Sequence, residues 1–286
     1  MSPELNRMDH RDRRFGVLGL GRMARALVLP LLETGELQPD DVRAVVASEA
    51  SAQRQSQELG LAVGTDPAAA WLAPVVLLAV KPQQLAALAA DLAALETHPG
   101  AGPGSVEPPR RLLISVLAGV PLARLQRLFP GCLCVRAVPN TPALVRAGLT
   151  ALAWGEGVEA AQREWVRGLF ARVGEVLELP EGQLDAFLAL TSSGPAFVAL
   201  VAEAMADGAV AAGLPRPLAQ HLAHRTLAGT AALLHERELH PGQLKDMVTS
   251  PGGTTIAGLR QLERGGVRSA LLEAVLAAAE RSRELA

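Results

Sequence analysis

Residues 15–24 read Phe15-Gly16-Val17-Leu18-Gly19-Leu20-Gly21-Arg22-Met23-Ala24, a short apolar run that closes on a glycine turn. The segment after it, Met23 to Leu32, is apolar at helical spacing, so the order is strand, tight turn, helix. In that setting Gly-x-Gly-x-x-Ala has a physical meaning. Gly19 permits the turn, Gly21 lets the main chain approach a pyrophosphate, and Ala24 lets the helix lie close on the sheet. The helix start supplies N–H groups to the phosphates. The alternative reading is an ordinary strand-to-helix turn in an α/β protein with no dinucleotide.

Outward from this turn the pattern repeats. Strands are expected at Val42–Ala47, Pro74–Val80 and Leu112–Leu117, with helices at Ala50–Glu58 and Gln83–Leu95 between them. Further strands fit Cys132–Ala137, Thr150–Trp154 and Glu175–Leu179. Alternation of this kind implies a parallel sheet covered on both faces. The Pro- and Gly-rich segment His98–Arg111 is read as a surface loop. From Glu181 onward only helices are expected, at Gly194–Ala212, Pro217–Glu236, Thr255–Arg264 and Val267–Leu285. The expected fold class is therefore α/β: a Rossmann-type dinucleotide-binding domain with a mainly parallel sheet over residues 1–180, then an all-helical domain over 181–286. The later helices carry apolar residues on more than one face. Burial in a compact bundle would account for them; an intertwined homodimer, with Ala and Gly allowing close contact, is favoured.

Composition narrows the chemistry. The 286 residues include 49% hydrophobic and 20% charged, at a formal net charge of −2, so no basic surplus exists for a nucleic-acid partner. The only two cysteines, Cys132 and Cys134, lie on one face of a strand, where a disulfide between them would be strained. Their scarcity fits a reducing, cytoplasmic compartment. The charged start MSPELNRMDHRDRR lacks the apolar core of a secretion signal, and Glu203 and Asp207 interrupt the most apolar helical region, Ala196–Leu214, so no membrane span is expected. The absence of Tyr excludes a tyrosine general acid. His221 and His224 have no accompanying ligand motif, so no metal site is expected.

The tip of the second strand reads Ala47-Ser48-Glu49, the position that distinguishes a ribose 2′-OH from a 2′-phosphate. Ser48 with Arg54 as counter-charge suits the phosphate and leans the choice to NADP over NAD; Glu49 pointing inward would oppose it. Ala79-Val80-Lys81-Pro82 puts Lys81 at the carboxyl end of the sheet, where open α/β sheets bind ligands. Asn140, between Pro139 and Pro142, is either aimed into a cleft or part of a rigid turn. Ser250-Pro251-Gly252-Gly253-Thr254-Thr255 opens a helix with N–H and O–H donors suited to a small carboxylate, or is a plain interhelical turn.

Taken together, GLGRMA, AVKP, VPNTPA, SSGPAF and LKDMVTSPGGTTIAGL resemble the pyrroline-5-carboxylate reductase family, in the family's order and over nearly the whole chain. The resemblance implies NAD(P)H-dependent reduction of 1-pyrroline-5-carboxylate to L-proline by an oligomer built from dimers. It implies pyrophosphate contacts at Gly19, Leu20, Gly21, Arg22, Met23 and Ala24, with Ser48 at the adenosine ribose and Asp66 on the adenine side. Ala79, Val80, Lys81 and Pro82 with Val116, Leu117 and Ala118 would line the nicotinamide. Ser250, Gly252, Gly253, Thr254 and Thr255 would hold the substrate, with Glu238 and Asn140 near the cleft and Thr255 and Lys81 as the catalytic candidates. Three departures stand out: Ser192 for a usual Gly, Phe197 for a usual Tyr, and Met247 where a polar residue is common. If the replaced Gly used positive φ, Ser192 would distort the main chain there. Other dinucleotide-dependent reductases, a non-catalytic dinucleotide-binding regulator and a purely structural oligomer are the competing classes.

Overall fold

The computed structural model of the chain describes residues 15–96 and 110–285. The segment read as a loop at 98–111 lies outside these, apart from Arg110 and Arg111, as does the charged N-terminal stretch. By its contacts the chain forms two compact units, residues 1–192 with 279–286, and residues 193–278. The position near Pro180 read from the sequence thus precedes this division, because a helix at Leu184–Thr191 goes with the first unit.

The first unit runs β1 (Phe15–Leu18), α1 (Arg22–Glu33), β2 (Val42–Val45), α2 (Glu49–Leu59), β3 (Ala62–Gly64), α3 (Pro67–Trp71), β4 (Val75–Leu78) and α4 (Leu85–Glu96). It continues through β5 (Arg111–Ser115), α5 (Leu122–Leu128), β6 (Cys132–Pro139), β7 (Gly148–Trp154), α6 (Ala160–Ala171), β8 (Gly174–Glu178) and α7 (Leu184–Thr191). The strands form one sheet in the order β3-β2-β1-β4-β5-β6-β7-β8. All neighbours are parallel except β6 and β7. That exception follows from chain length: only Asn140–Ala147 joins the two strands, too short for a helical crossover, so the chain must turn back.

Each face of the sheet is covered. Val75 and Leu77 of β4 pack with Leu27, Val28 and Leu31 of α1 and Val166, Leu169 and Phe170 of α6. Val76 and Leu78 face Trp71, Leu85, Leu92, Leu125 and Leu184 on the other side. The unbroken apolar run of β4 is thus a strand buried on both faces, as its sequence reads. The inward positions of α1 recur at three- and four-residue spacing, and each such leucine or valine contributes about 2 kcal/mol by leaving water. Gly16 is required where α3 lies flat on β1: a Cβ there would stand 2.0 Å from the Ala70 carbonyl oxygen. Cys132 and Cys134 share the second face, buried and outside any disulfide. Burial, with the neighbouring Cys132, pushes the Cys134 thiol up to about 12, so at neutral pH it is protonated and packs as a small apolar group.

The second unit contains α8 (Gly194–Ala211), α9 (Arg216–Glu236), α10 (Pro241–Met247), α11 (Thr254–Arg264) and the first part of α12 (Val267–Glu284), whose end belongs to the first unit. α8 and α9 meet through Ala206, Ala209, Val210, Ala219 and Ala223. Large apolar side chains stay outside, among them Leu200, Met205, Leu222, Leu262, Leu272 and Leu276. The helical stretch Glu181–Ala211 is long and apolar enough to cross a bilayer, where the sequence reading expected none. It consists of a 3-10 turn and two helices that part at Ser192–Ser193, and it carries Glu181, Asp185, Glu203 and Asp207.

Candidate functional site

Because β1, β2, β4, β5 and β6 run the same way, the turns after them gather along one edge of the sheet. Main-chain bonds continue past the strand ends: Gly19 N–H to Val45 O at 2.9 Å, Ala79 N–H to Leu18 O at 2.8 Å and Val116 N–H to Leu78 O at 3.0 Å. Along this edge lies an open groove of about 600 Å³, lined by Gly19, Leu20, Gly21, Ala79, Val80 and Lys81 among others. Gly19 has φ +95°, and a Cβ on it would stand 2.7 Å from the Ala79 oxygen. Gly21 is extended, and a Cβ on it would meet nothing within 4 Å. As N-cap of α1 it offers no side chain, leaving the first N–H groups of that helix to a ligand. Ala24, on the inner face of α1, is fully buried and sets how near the helix lies to the sheet.

The β2–α2 side of the groove, where the adenosine is expected, differs from that expectation in detail. Ser48 and Asp66 do not line it; Ser51, Thr65 and Pro67 do. Ser48 caps α2, its hydroxyl oxygen accepting from the Ser51 N–H at 3.4 Å, and Asp66 caps α3 through the Ala68 N–H at 3.0 Å. Glu49 accepts a hydrogen bond from the Thr65 hydroxyl. Exposed Arg54 contributes, after Arg25, to holding the Glu58 carboxyl below its usual range. Gln55 was not anticipated. It lines the groove, is 9% exposed, and its Oε1 has no hydrogen-bond partner. Ala52 and Gln55 form the inward face of α2, a spacing that marks Gln55 as an inward-pointing polar residue. A buried amide oxygen without a donor, lining the same groove as the glycine turn, fits a ligand that carries hydroxyl or amino donors beside its phosphates, as a dinucleotide does. Val116 and Ala118 cap the β5 end without lining the groove, and the Leu117 side chain is buried in the core.

Asn140 is 4% exposed, and both ends of its amide are engaged: Nδ2 donates to Thr191 O at 3.0 Å and Oδ1 accepts from Leu149 N–H at 2.8 Å. The structure thus makes it the pin of the β6–β7 turn. Ser192 is right-handed helical, φ −92°, so a side chain there brings no strain; its hydroxyl donates to Pro139 O at 3.2 Å.

In the second unit, Gly252 has φ +67° and Gly253 is the extended N-cap of α11, with no side-chain cap. Gly253 N–H donates to Ser250 O at 3.0 Å, and a Cβ on Gly253 would stand 2.4 Å from the Ser250 hydroxyl. The N–H groups of Thr254 and Thr255 thus open α11 under a glycine pair, a donor cluster matched to a carboxylate. Thr254 is exposed and Thr255 partly so. Exposed Glu238, at φ +49°, ends the turn after α9.

A mainly parallel sheet with a glycine turn at its carboxyl edge, followed by a helical unit, is an architecture of nicotinamide-dinucleotide-dependent oxidoreductases, the class to which the family matches assign the chain. Residues 181–285 match the family model for pyrroline-5-carboxylate reductase dimerisation, and residues 14–100 match that for coenzyme F420-dependent NADP oxidoreductases. A pyrroline-5-carboxylate reductase of Synechocystis is 46% identical over 95% of this chain and 98% of its own. The Coxiella burnetii pyrroline-5-carboxylate reductase structure is 32% identical, with TM-score 0.80 over 96% of this chain and 98% of that one. The Plasmodium falciparum pyrroline carboxylate reductase structure with NADP bound is 26% identical, with TM-score 0.83 over 95% and 97% of the two chains. The chain belongs to the pyrroline-5-carboxylate reductase family.

Proposed function

We propose that the chain reduces 1-pyrroline-5-carboxylate to L-proline, the last step of proline biosynthesis, with NADPH preferred over NADH. The observation that carries this is the pairing, in one chain, of the glycine cradle at 19–24 with the Ser250–Thr255 donor cluster. Bound NADPH would supply hydride from C4 to the imine carbon, and the ring nitrogen, already protonated, would keep its proton and become the amine of proline. NADPH, the imine and one proton thus give NADP⁺ and proline. The chemistry is the cofactor's; the chain contributes orientation and charge.

In this reading Gly19 to Ala24 hold the pyrophosphate, Ser48 and Asp66 border the adenosine, and Ala79 to Pro82 with Val116 to Ala118 border the nicotinamide. Engagement of Glu49 by Thr65 and the hydroxyls of Ser48 and Ser51 support the 2′-phosphate. Ser250, Gly252, Gly253, Thr254 and Thr255 take the substrate, with Glu238 alongside. Residues 1–180 act as the dinucleotide domain and 181–286 as the dimerisation and substrate domain. The exposed leucines of the second unit support a homodimer, from which larger assemblies are built. Two cysteines outside any disulfide support a cytoplasmic location.

The test is oxidation of NADPH and of NADH by the purified chain with 1-pyrroline-5-carboxylate, with proline measured directly. Proline should form with both, at the higher kcat/KM with NADPH. Thr255→Ala should lower kcat/KM about tenfold, the loss of one substrate-directed hydrogen bond. An unchanged value would remove Thr255 from the site.

A further inference from the structure

A charge cluster built on a buried guanidinium, with two partly exposed carboxylates, sits beside the connection from β5 to α5. Arg136 on β6, 4% exposed, lies opposite Ser115, the last residue of β5. Its Nη1 donates to Glu181 Oε1 at 3.2 Å, and its Nη2 lies 3.5 Å from Asp185 Oδ1. The same Glu181 oxygen accepts the main-chain N–H of Leu122, the first residue of α5, at 2.7 Å. The same Asp185 oxygen accepts the hydroxyl of Ser282 at 2.7 Å, a residue 3% exposed near the end of α12. The chain's end then closes over the loop: Gly119 has φ +70°, and a Cβ on it would stand 2.9 Å from the main-chain carbon and the Cβ of Leu285.

An ion pair between a buried guanidinium and partly exposed carboxylates adds little stability of its own. What a guanidinium shared between two carboxylates does impose is direction, since its planar donors accept few geometries. Here the directions run to the two elements that bracket residues 116–121. We propose that Arg136 is a positioning residue for hydride transfer: through Glu181 it fixes the start of α5, through Asp185 and Ser282 it fixes the chain's end over Gly119, and the loop between is held in the form that presents the nicotinamide. This rests on the proposed placement of that ring against Val116–Ala118, which lie just beyond the lining of the groove.

The test uses the full chain as Arg136→Met and Ser282→Ala, with NADPH and with 2′-phospho-ADP-ribose, which lacks the ring. In Arg136→Met kcat should fall about tenfold and in Ser282→Ala several-fold. The deuterium isotope effect from 4-deuterated NADPH should rise as hydride transfer becomes slower, while the Kd of 2′-phospho-ADP-ribose stays within about twofold of the unmodified chain's. Wild-type kcat and isotope effect with only a lower Tm would overturn the proposal, as would equal weakening of both ligands. If Arg136→Met does not fold, Ser282→Ala decides, because it leaves both carboxylates paired with Arg136. Amide exchange separates the underlying placement: NADPH should protect residues 116–120 of the unmodified chain beyond what 2′-phospho-ADP-ribose does. Equal protection would show the ring lies elsewhere, and the proposal would fall with that placement.

Discussion

Gly19→Ala should weaken NADPH binding by about two orders of magnitude and lower the stability of the fold as well. The residue has φ +95°, where an L side chain costs about 1–3 kcal/mol, and its Cβ would stand 2.7 Å from the Ala79 oxygen and 2.9 Å from the Val80 nitrogen. Those are main-chain atoms of the turn that leads to Lys81, so relief requires the two halves of the groove to move apart. Gly21→Ala makes the contrast. It is extended, with open space where a Cβ would go, so unfolding should be unchanged while affinity falls about tenfold or more from the methyl group in the path of the phosphates. Fluorescence titration with NADPH beside thermal melts of both variants reads the difference. Gly21→Ala binding NADPH like the unmodified chain would show that this turn does not cradle the pyrophosphate.

Asn140→Leu should cost about 3 kcal/mol of stability, from one buried and one part-buried main-chain group left without partners. The Leu149 N–H loses its acceptor and the Thr191 carbonyl loses its donor, both inside the first unit. Asn140→Asp should also destabilise, because a carboxylate still accepts from Leu149 but repels the Thr191 oxygen. Urea unfolding at fixed protomer concentration gives the midpoints. Unchanged midpoints with a raised KM would instead place Asn140 on the substrate, as the sequence first suggested.

The difference between those two readings of Asn140 shows what sequence carries and what it does not. A residue between two prolines is legible as a rigid strand-end turn, but the partners that consume its amide, Leu149 and Thr191, come from β7 and α7. The β1–α1 turn was legible because every requirement is local: the apolar run, the glycine at positive φ, and the small residue under the helix. β3 and α3 escaped notice because they are too short for a period to show, three and five residues. α5 and α6 went unread between recognisable strands, although α6 buries Val166, Leu169 and Phe170 at helical spacing. Alternation also suggested a parallel sheet, whereas the reversal at β6–β7 is dictated by a connection length that only a firm assignment of both strands reveals. Gln55 is legible only through its three-residue spacing from Ala52, a weak signal on a helix whose other residues are mostly polar.

The reversal also divides the sheet's rim by purpose. β7 leaves the edge that carries Gly19, Ala79 and Asn140, and its far turn lies by the opposite ends of β5 and β6: Gly155 N–H bonds to Cys134 O at 2.9 Å, and Gly157 lies beside Leu133 and Arg110. Glu156, at the tip of that turn, is exposed. A fluorophore carried at Glu156 would therefore ride on the same rigid sheet as the dinucleotide groove yet stand outside it, a fixed reference point from which distances to a labelled cofactor are measured.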